Sequence, residues 1–340
     1  MLSTAELGAC TVFVSYFAVI AVLFSVIASD LLARARALQS VPKGAYGFLA
    51  LAVASFAHTW FYMFKFMAWS FADHEASTTP SGNLLQRISH WLLDTSLFEQ
   101  AWARVCFGTM NWWWSQQLCL YTVGPWTLFL AIQGERRAVA RVWTYMLLGQ
   151  LVAISVASNL FYLALALSAP TRVKPSPRTH IRAAVYLPVL LSMATVALSP
   201  FTNERTFLPN LLLMHTLIVL PLFSSSPTQL AHKSRWTVPV SALFTTLSVL
   251  ASVLHVRQTY LALITRPTPG LGSYLQAAWT TLYSHPAQSS IGWDVVWTSA
   301  SLLVWAAASS PITAVVYAVL MPFCLLATLA LNVLQYEPAY

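Results

Sequence analysis

Long apolar runs separated by short polar connections dominate the chain. Runs of roughly 20 apolar residues match the length of a helix that crosses a hydrocarbon core of about 30 Å. Nine such runs occur, at residues 8–29, 46–71, 112–132, 142–169, 183–199, 207–223, 238–256, 293–308 and 311–334. The pattern predicts an all-α fold, a polytopic integral membrane helix bundle of about eight or nine transmembrane helices. The count falls to eight or fewer if the last two runs, which only Ser309 and Ser310 separate, form a re-entrant hairpin.

We expect one transmembrane helical domain over residues 1–340 with two insertions. The first is a polar, interfacial segment at 73–111 that holds an amphipathic run at 84–105, and the second is the Pro- and Gly-containing loop at 257–292. The sequence has no internal repeat and no matched pair of interrupted helices, which disfavours an inverted-repeat transporter. No Lys or Arg precedes the first run, whereas Arg34 and Arg36 follow it, so we expect a retained span with a lumenal N-terminus.

Composition supports the membrane prediction and excludes other classes. The 340 residues are 58% hydrophobic and 8% charged, against about a quarter charged in a soluble domain. The net charge of +8 comes from 18 Lys and Arg residues, which lie almost entirely in the connections. Cations in such places face lipid headgroups, so the expected partner is the bilayer rather than nucleic acid. The four cysteines are far apart, and neither His58 nor His215 has a second histidine nearby, so no metal and no cofactor is expected.

The ten acidic residues are informative because a carboxyl group in an apolar medium is costly. Six of them, at ends or in loops, are expected to be solvated, namely Glu6, Asp30, Asp73, Glu75, Glu135 and Glu337. Asp94 and Glu99 lie instead in an aromatic stretch at 90–102, and aromatic surroundings are typical of a carboxyl that serves as a general acid. Alternatively, Asp94 or Ser96 caps an interfacial helix and Glu99 pairs with Arg104.

Asp294 opens the predicted helix at 293–308, where it shares a face with Trp297 and Trp305 by helical spacing. Helix N-termini favour a negative charge. This position favours a deprotonated Asp294 with a structural or cation-stabilising role over a proton donor.

Amide and aromatic side chains cluster in the third and fourth runs. Trp113, Gln117 and Tyr121 share one helical face, and Asn159 shares another with Ser155. Such amides either bind a ligand or only join neighbouring helices. The many aromatic residues either lie at membrane interfaces or line a pocket that stabilises a carbocation.

Four blocks of the sequence carry a family resemblance. These are NWWWSQQL at 111–118, WTYMLLGQLVAIS at 143–155 leading to NLF at 159–161, FLPNLLLMH at 207–215, and SSIGWDVVW at 289–297. They resemble the fungal membrane-bound terpene cyclases of the ascochlorin and macrophorin pathways, from about the second predicted helix to the ninth. The resemblance implies an endoplasmic-reticulum enzyme of secondary metabolism that cyclises the farnesyl-type chain of a meroterpenoid. Protonation of an olefin or an epoxide would start the reaction, and the chain lacks the DDxxD cluster of metal-dependent cyclases.

We combine the resemblance with position to assign roles. Asp94 or Glu99 is expected to donate the proton, and Asp294 to accept a proton or to stabilise positive charge. The expected substrate-binding residues are amides that orient the acid or the head group and aromatic residues that form a cation-stabilising wall: Gln116, Gln117 and Asn159, with Trp113, Trp114, Tyr121, Trp293 and Trp297. The alternative is a transporter or receptor for a small lipophilic molecule. A hydrolase or desaturase is disfavoured, since the sequence has no GxSxG elbow and no histidine cluster.

Overall fold

The computed structural model describes residues 2–79, 81–168, 179–223, 228–230, 236–265, 270–309 and 315. Nearly all of these residues are helical, so the all-α prediction is confirmed. In chain order the helices are α1 (Thr4–Ala37), α2 (Lys43–Ser77), α3 (Leu84–Asp94), α4 (Leu97–Cys106), α5 (Thr109–Tyr121), α6 (Thr127–Arg136), α7 (Trp143–Leu151), α8 (Ile154–Ala166), α9 (Ala183–Leu198), α10 (Phe207–Val219), α11 (Val240–Ile264), α12 (Leu271–Leu282) and α13 (Pro286–Ser309). Apart from Val315, the apolar run at 311–334 lies outside the described residues, so the prediction for it stays a prediction.

A small antiparallel sheet is the one kind of element in the described residues that the sequence pattern does not predict. Its central strand, β1 (Thr179–Arg182), pairs with β2 (Thr228–Leu230) on one side and β3 (Thr237–Pro239) on the other. β1 leads directly into α9 and β3 directly into α11. Because β1 and β3 are antiparallel, the two helices start from opposite ends of this short strand pair.

Four helices in the described residues are long and apolar enough to cross a membrane by length and composition. They are α1, α2, α11 and Ala183–Phe201, which joins α9 to one further helical turn. Their large apolar side chains point outward; Val12 is 73% exposed, and Val53 and Val253 are similarly exposed. These findings are compatible with a membrane protein. By this measure the described residues contain fewer spans than the eight or nine that the sequence predicts.

Two sets of contacts define the ends of the bundle. At one end, Glu6 of α1 pairs with His90 of α3 at 2.6 Å. At the other, Arg34 donates hydrogen bonds of 2.8 Å to the Ala138 carbonyl and to the Ser168 hydroxyl. We call these the Glu6 end and the Arg34 end. Glu6 is only 8% exposed, so the prediction that it is solvated is wrong; its carboxylate caps α1 and joins that helix to α3.

Helices α7 and α8 form a helical hairpin. The segments before α7 and after α8 both bind Arg34, so the pair enters and leaves at the Arg34 end. Between the two helices, the Tyr145 and Phe161 rings are 5.2 Å apart. Gly149 allows the close approach near the tip, because a Cβ atom there would lie 2.8 Å from the side chain of Ile154 and 3.3 Å from that of Ala157.

The hairpin corrects the prediction of one continuous helix at 142–169. The chain turns at Val152 and Ala153, where Ala153 is extended with φ −173° and ψ 142°. Hydropathy does not separate one long span from two short helices of 9 and 13 residues, because both give the same unbroken apolar run. No Pro or Gly marks the turn itself.

The two predicted insertions contain helices that cover the Glu6 end. Within 73–111 lie α3 and α4, and Asn83 caps α3 by accepting a hydrogen bond from the Gln86 backbone N–H. Gly108, with φ 102°, turns the chain from α4 into α5. Within 257–292 lie the last turns of α11, all of α12 and the first turns of α13. These segments therefore contribute ordered walls rather than loops.

The hairpin has a direct topological consequence. Single cysteines introduced at Ala140 and His180, in a background whose native cysteines are replaced by serine, are expected to react with a membrane-impermeant thiol reagent from the same side of sealed vesicles. A cysteine at Ser81, at the Glu6 end, is expected to react only from the opposite side. Reaction of the Ala140 and His180 positions from opposite sides would instead support a single span at 142–169.

Candidate functional site

An apolar cavity of about 530 Å³ lies beside the tip of the hairpin. Its wall includes residues of α1, α2, α4, α5, α7, α10 and α13. Asp294 is the single carboxyl group among the described lining residues, which include no Lys or Arg. Aromatic side chains supply much of the apolar wall, namely Phe13, Tyr16, Phe66, Phe98 and Trp102. An apolar cavity with a few fixed polar groups is typical of a small-molecule site.

The cavity leads from the outer surface of the bundle to its interior. Val12 of α1 and Phe98 of α4 line it and are 73% and 41% exposed. Asp294 and Met214, which also line it, are each 5% exposed. The mouth therefore lies between apolar side chains on the outside of α1 and α4, and Asp294 lies deep inside.

The Asp294 carboxylate binds the first turn of α8. One oxygen, Oδ2, accepts a hydrogen bond of 2.9 Å from the Ile154 N–H, and Oδ1 accepts one of 2.7 Å from the Ser155 N–H. These are the first two residues of α8, and the preceding N-cap residue, Ala153, has no side-chain acceptor. Asp294 therefore caps α8 from another helix, where the positive end of the helix dipole adds to the two hydrogen bonds.

This geometry corrects the predicted position of Asp294 in its own helix. α13 begins at Pro286, so Asp294 lies in its third turn rather than at its start. The helix N-terminus that Asp294 meets is that of α8. The sequence predicted the kind of interaction but the wrong helix, because the first turns of α13 have a loop-like composition and the turn between α7 and α8 is hidden within an apolar run.

Two of the predicted site residues lie close to Asp294, behind the cavity. The Tyr121 hydroxyl interacts electrostatically with Asp294 and lies 3.4 Å from the Tyr162 hydroxyl. The Asn159 amide donates to the Ser155 carbonyl at 2.9 Å, and its own oxygen is buried without a partner among the described residues. Both side chains are fully buried and support the α8 turn that Asp294 caps.

The two predicted proton donors lie outside the cavity wall. Asp94 is the last residue of α3; its side chain is 56% exposed and pairs with His74 at 3.1 Å. Glu99 is half-buried in the first turn of α4. Ser96 occupies the N-cap position of α4, but its side chain makes no capping hydrogen bond. Arg104, the predicted partner of Glu99, lies over the Trp69 ring, 5.0 Å from its centre.

The predicted residues of α5 contact neighbouring helices. The Trp113 indole N–H donates to a threonine of α11 at 3.1 Å, and that of Trp114 donates to an α12 carbonyl at 3.0 Å. Gln117 donates to the Trp113 carbonyl, and the buried Gln116 has an oxygen without a partner among the described residues. The two tryptophans therefore join α5 to α11 and α12, and none of the four residues is part of the cavity lining.

Trp293 and Trp297 pack against His58 of α2. The Trp293 ring lies 4.4 Å from the His58 ring, and the Trp297 indole N–H donates to His58 Nδ1 at 3.1 Å. Asp294 contacts the α8 turn and lines the cavity, whereas the two tryptophans do not line it, so the three residues do not form one wall. Within the described part of the chain, no group of three His, Cys, Asp or Glu side chains could hold a metal ion.

Three polar residues of the cavity were not among the predicted site residues. The Tyr16 hydroxyl donates to the Leu151 carbonyl at the hairpin tip at 2.5 Å. Gln150 and His215 lie side by side, and the Gln150 amide donates to the His215 carbonyl at 3.2 Å. The sequence indicates these three residues only in that each is an isolated polar side chain within an apolar run.

Comparison of the chain with protein-family models, with curated proteins and with solved structures gave no match. The resemblance to fungal terpene cyclases therefore stays a prediction. Functional inference depends on the geometry of the cavity and of Asp294.

Replacing Asp294 tests whether its cap stabilises the hairpin. Asp294→Ala leaves two buried N–H groups without a partner, and each such group costs about 1–3 kcal/mol. Asp294→Asn keeps one acceptor oxygen, so we expect a smaller loss. Both variants should lower the thermal unfolding temperature of the purified protein in detergent, in the order wild type, Asn, Ala.

Asp94→Asn is the matched control for this measurement. It removes the carboxylate of an exposed ion pair with His74, and such pairs contribute about 0–1 kcal/mol. An Asp294→Ala protein that unfolds at the same temperature as the wild type would show that the α8 cap is not stabilising.

Proposed function

We propose that the chain is an integral membrane enzyme that cyclises a prenyl-type chain by proton transfer, as a terpene cyclase does, with Asp294 as its acid. One observation carries the proposal. A single carboxyl group lies deep in an aromatic, apolar cavity whose mouth is formed by exposed apolar side chains. Such a cavity admits a lipophilic molecule and excludes water from the reacting carbons.

Charge at the two ends supports an orientation in the membrane. The described residues at the Arg34 end include seven cations, Arg34, Arg36, Lys43, Arg136, Arg137, Arg141 and Arg182, against two acids, Asp30 and Glu135. The described residues at the Glu6 end include fewer cations, Arg87, Arg104, Arg205 and Arg257, together with six acids, Glu6, Asp73, Glu75, Asp94, Glu99 and Glu204. By the positive-inside rule the Arg34 end faces the cytoplasm. The N-terminus and the cavity mouth then lie on the lumenal side, in agreement with the sequence-based orientation and with a location in the endoplasmic reticulum.

The bundle accommodates more crossings than the four long helices. In the proposed topology α5 with α6, α10 and α13 also run from one end to the other, while α7 and α8 enter and return. The described residues would then cross the membrane seven times around one re-entrant hairpin. A mouth between α1 and α4 would face the acyl chains, so a prenyl chain could enter sideways from the bilayer.

Proton transfer from Asp294 accounts for the start of the reaction. In its protonated form the carboxyl group gives its proton to a carbon of an olefin or to the oxygen of an epoxide, and a carbocation forms in the chain. The N–H groups of Ile154 and Ser155 then hold the carboxylate that remains. Fixed donors aimed at a charge that appears during the reaction lower its barrier. A second double bond closes the ring, and loss of a proton to the carboxylate ends the sequence with a product isomeric with the substrate.

The cavity wall supports the cationic stage. Aromatic ring faces attract positive charge without reacting with it, and the lining includes Phe13, Phe66, Phe98 and Trp102. These rings take the role that the sequence assigned to Trp113, Trp114, Trp293 and Trp297. The cavity volume of about 530 Å³ falls within the range of roughly 300–1,000 Å³ of small-molecule sites.

The re-entrant hairpin favours a second candidate, a transporter of a lipophilic molecule. Broken helices that line a cavity at mid-membrane depth are typical of transporters, in which the free N-terminus of a half-helix binds an anionic substrate. Here Asp294 already occupies the first two N–H groups of α8. That occupancy favours the enzyme, since the helix end is not available to a substrate anion.

A conversion assay tests the enzyme. Membranes containing the chain are incubated with a farnesylated phenol or its terminal epoxide, and cyclic products of equal mass are sought by chromatography, mass spectrometry and NMR. We expect Asp294→Asn to lower the rate at least about 100-fold, the usual contribution of general acid catalysis. Rates are compared per amount of folded protein, because the same variant weakens the α8 cap.

Asp94→Asn and Glu99→Gln distinguish the two assignments of the acid. Since neither residue lines the cavity, we expect both variants to convert the substrate at nearly the wild-type rate. Loss of conversion in Asp94→Asn or in Glu99→Gln, with full activity in Asp294→Asn, would instead assign the role of proton donor to the α3–α4 segment. Passage of the unchanged compound across vesicles without any isomer formed would favour the transporter.

A further inference from the structure

Four hydroxyl groups of the cavity share one property, which is that their hydrogens are already used. The hydroxyl groups of Tyr16, Thr95, Thr122 and Ser290 all line the cavity, and each donates to a backbone carbonyl oxygen. The distances run from 2.5 Å for Tyr16 to 3.1 Å for Ser290. What these groups offer to a ligand is therefore their lone pairs.

His215 follows the same pattern. Its Nδ1 lies 2.8 Å from the Leu211 carbonyl oxygen, and because a carbonyl only accepts, Nδ1 carries the hydrogen. In a neutral imidazole the other nitrogen, Nε2, is then a hydrogen-bond acceptor. The ring is held edge-on to Phe98 and Trp102, at 5.9 Å and 5.6 Å between ring centres. Both aromatic residues line the same cavity, so the imidazole has a fixed orientation at its wall.

Gln150 adds a second acceptor beside the first. Its amide nitrogen donates to the His215 backbone carbonyl at 3.2 Å, which fixes the identity of the two amide atoms. No residue among those described donates to its oxygen. The described lining contains no Lys or Arg that could neutralise an anion. The pair thus combines two acceptors with no cation.

We propose that Gln150 and His215 form a head-group subsite that selects a neutral lipid carrying a hydroxyl hydrogen-bond donor and rejects its ether and its phosphate ester. The inference rests on the proposed function only in taking the cavity as the ligand site, since binding requires no turnover. A hydroxyl group satisfies an acceptor that has no partner among the described residues. An ether oxygen has no hydrogen to donate to either acceptor, and a phosphate brings a charge that nothing in the described wall balances.

Matched ligands test the subsite. The probes are a farnesylated phenol, its O-methyl ether and farnesyl monophosphate, and their affinities for the purified full chain are measured by quenching of tryptophan fluorescence in detergent. We expect the phenol to bind roughly 10-fold more tightly than the ether, the effect of one well-placed hydrogen bond, and the phosphate to bind more weakly than the phenol.

Variants assign the preference to the two residues. His215→Phe and Gln150→Leu should each reduce the phenol-to-ether ratio towards one, and His215→Gln, which keeps an acceptor, should retain part of it. His255→Phe is the control, because His255 is a buried histidine that packs by Trp113 outside the cavity lining. The phenol-to-ether affinity ratio of the His255→Phe variant should equal that of the wild type. A ratio is compared within one protein, so partial loss of folding does not imitate the effect.

The outcomes separate this inference from the proposed function. A phenol preference that depends on Gln150 or His215, in a chain that forms no ring isomer, would support the subsite and contradict the cyclase. Equal binding of phenol and ether, a preference unchanged in both His215→Phe and Gln150→Leu, tighter binding of the phosphate, or no binding of any probe by the wild type would overturn the subsite.

Discussion

The contact between Asp294 and the first turn of α8 determines the arrangement of the centre of the bundle. A helix that begins in the middle of an apolar structure exposes N–H groups that must be satisfied. Ala153, at the N-cap position, has no side chain that can do so, and Asp294 supplies both acceptors from α13. Without this carboxylate the chain has no means of starting a helix at Ile154, and the turn that makes α7 and α8 a hairpin would lose its partner.

The same contact positions the polar side chains that line the cavity. Because the hairpin turns at mid-bundle, Gln150 and the Leu151 carbonyl lie at its tip, where Tyr16 and His215 meet them. The carboxylate is exposed to the cavity on one side and held by the α8 backbone on the other. In the proposed function, the helix cap and the reactive acid are two uses of this one group. A negative charge in apolar surroundings is stabilised where the N-terminus of a helix points at it, as that of α8 does here.

The sequence predicts the parts of this structure that hydropathy determines. The helical class follows from the length of the apolar runs, and the importance of Asp294 follows from the cost of a carboxyl group among them. The hairpin is not visible in this way, since an apolar run of 28 residues has the same composition whether it crosses or returns. The cavity is also hidden, because Tyr16, Gln150 and His215 come from three distant segments whose approach depends on that return. Aromatic richness indicated a pocket near Asp94 and near Trp113; Phe98 and Trp102 of the first stretch do line the cavity, whereas Trp113 and Trp114 make helix contacts instead.

Two further features of the fold determine towards which end of the bundle the cavity opens. The four residues of α1 that line it lie near the helix start, and α3 and α4 close the same end. Lysines and arginines are more numerous at the opposite end, so in the proposed orientation the cavity lies in the leaflet away from the cytoplasm. Under the proposed function, a lipid that enters there meets apolar walls before it meets Asp294. Depth in the cavity would then order the encounter, because the apolar chain is sequestered first and the carboxyl group acts on the part of it that reaches the α8 turn.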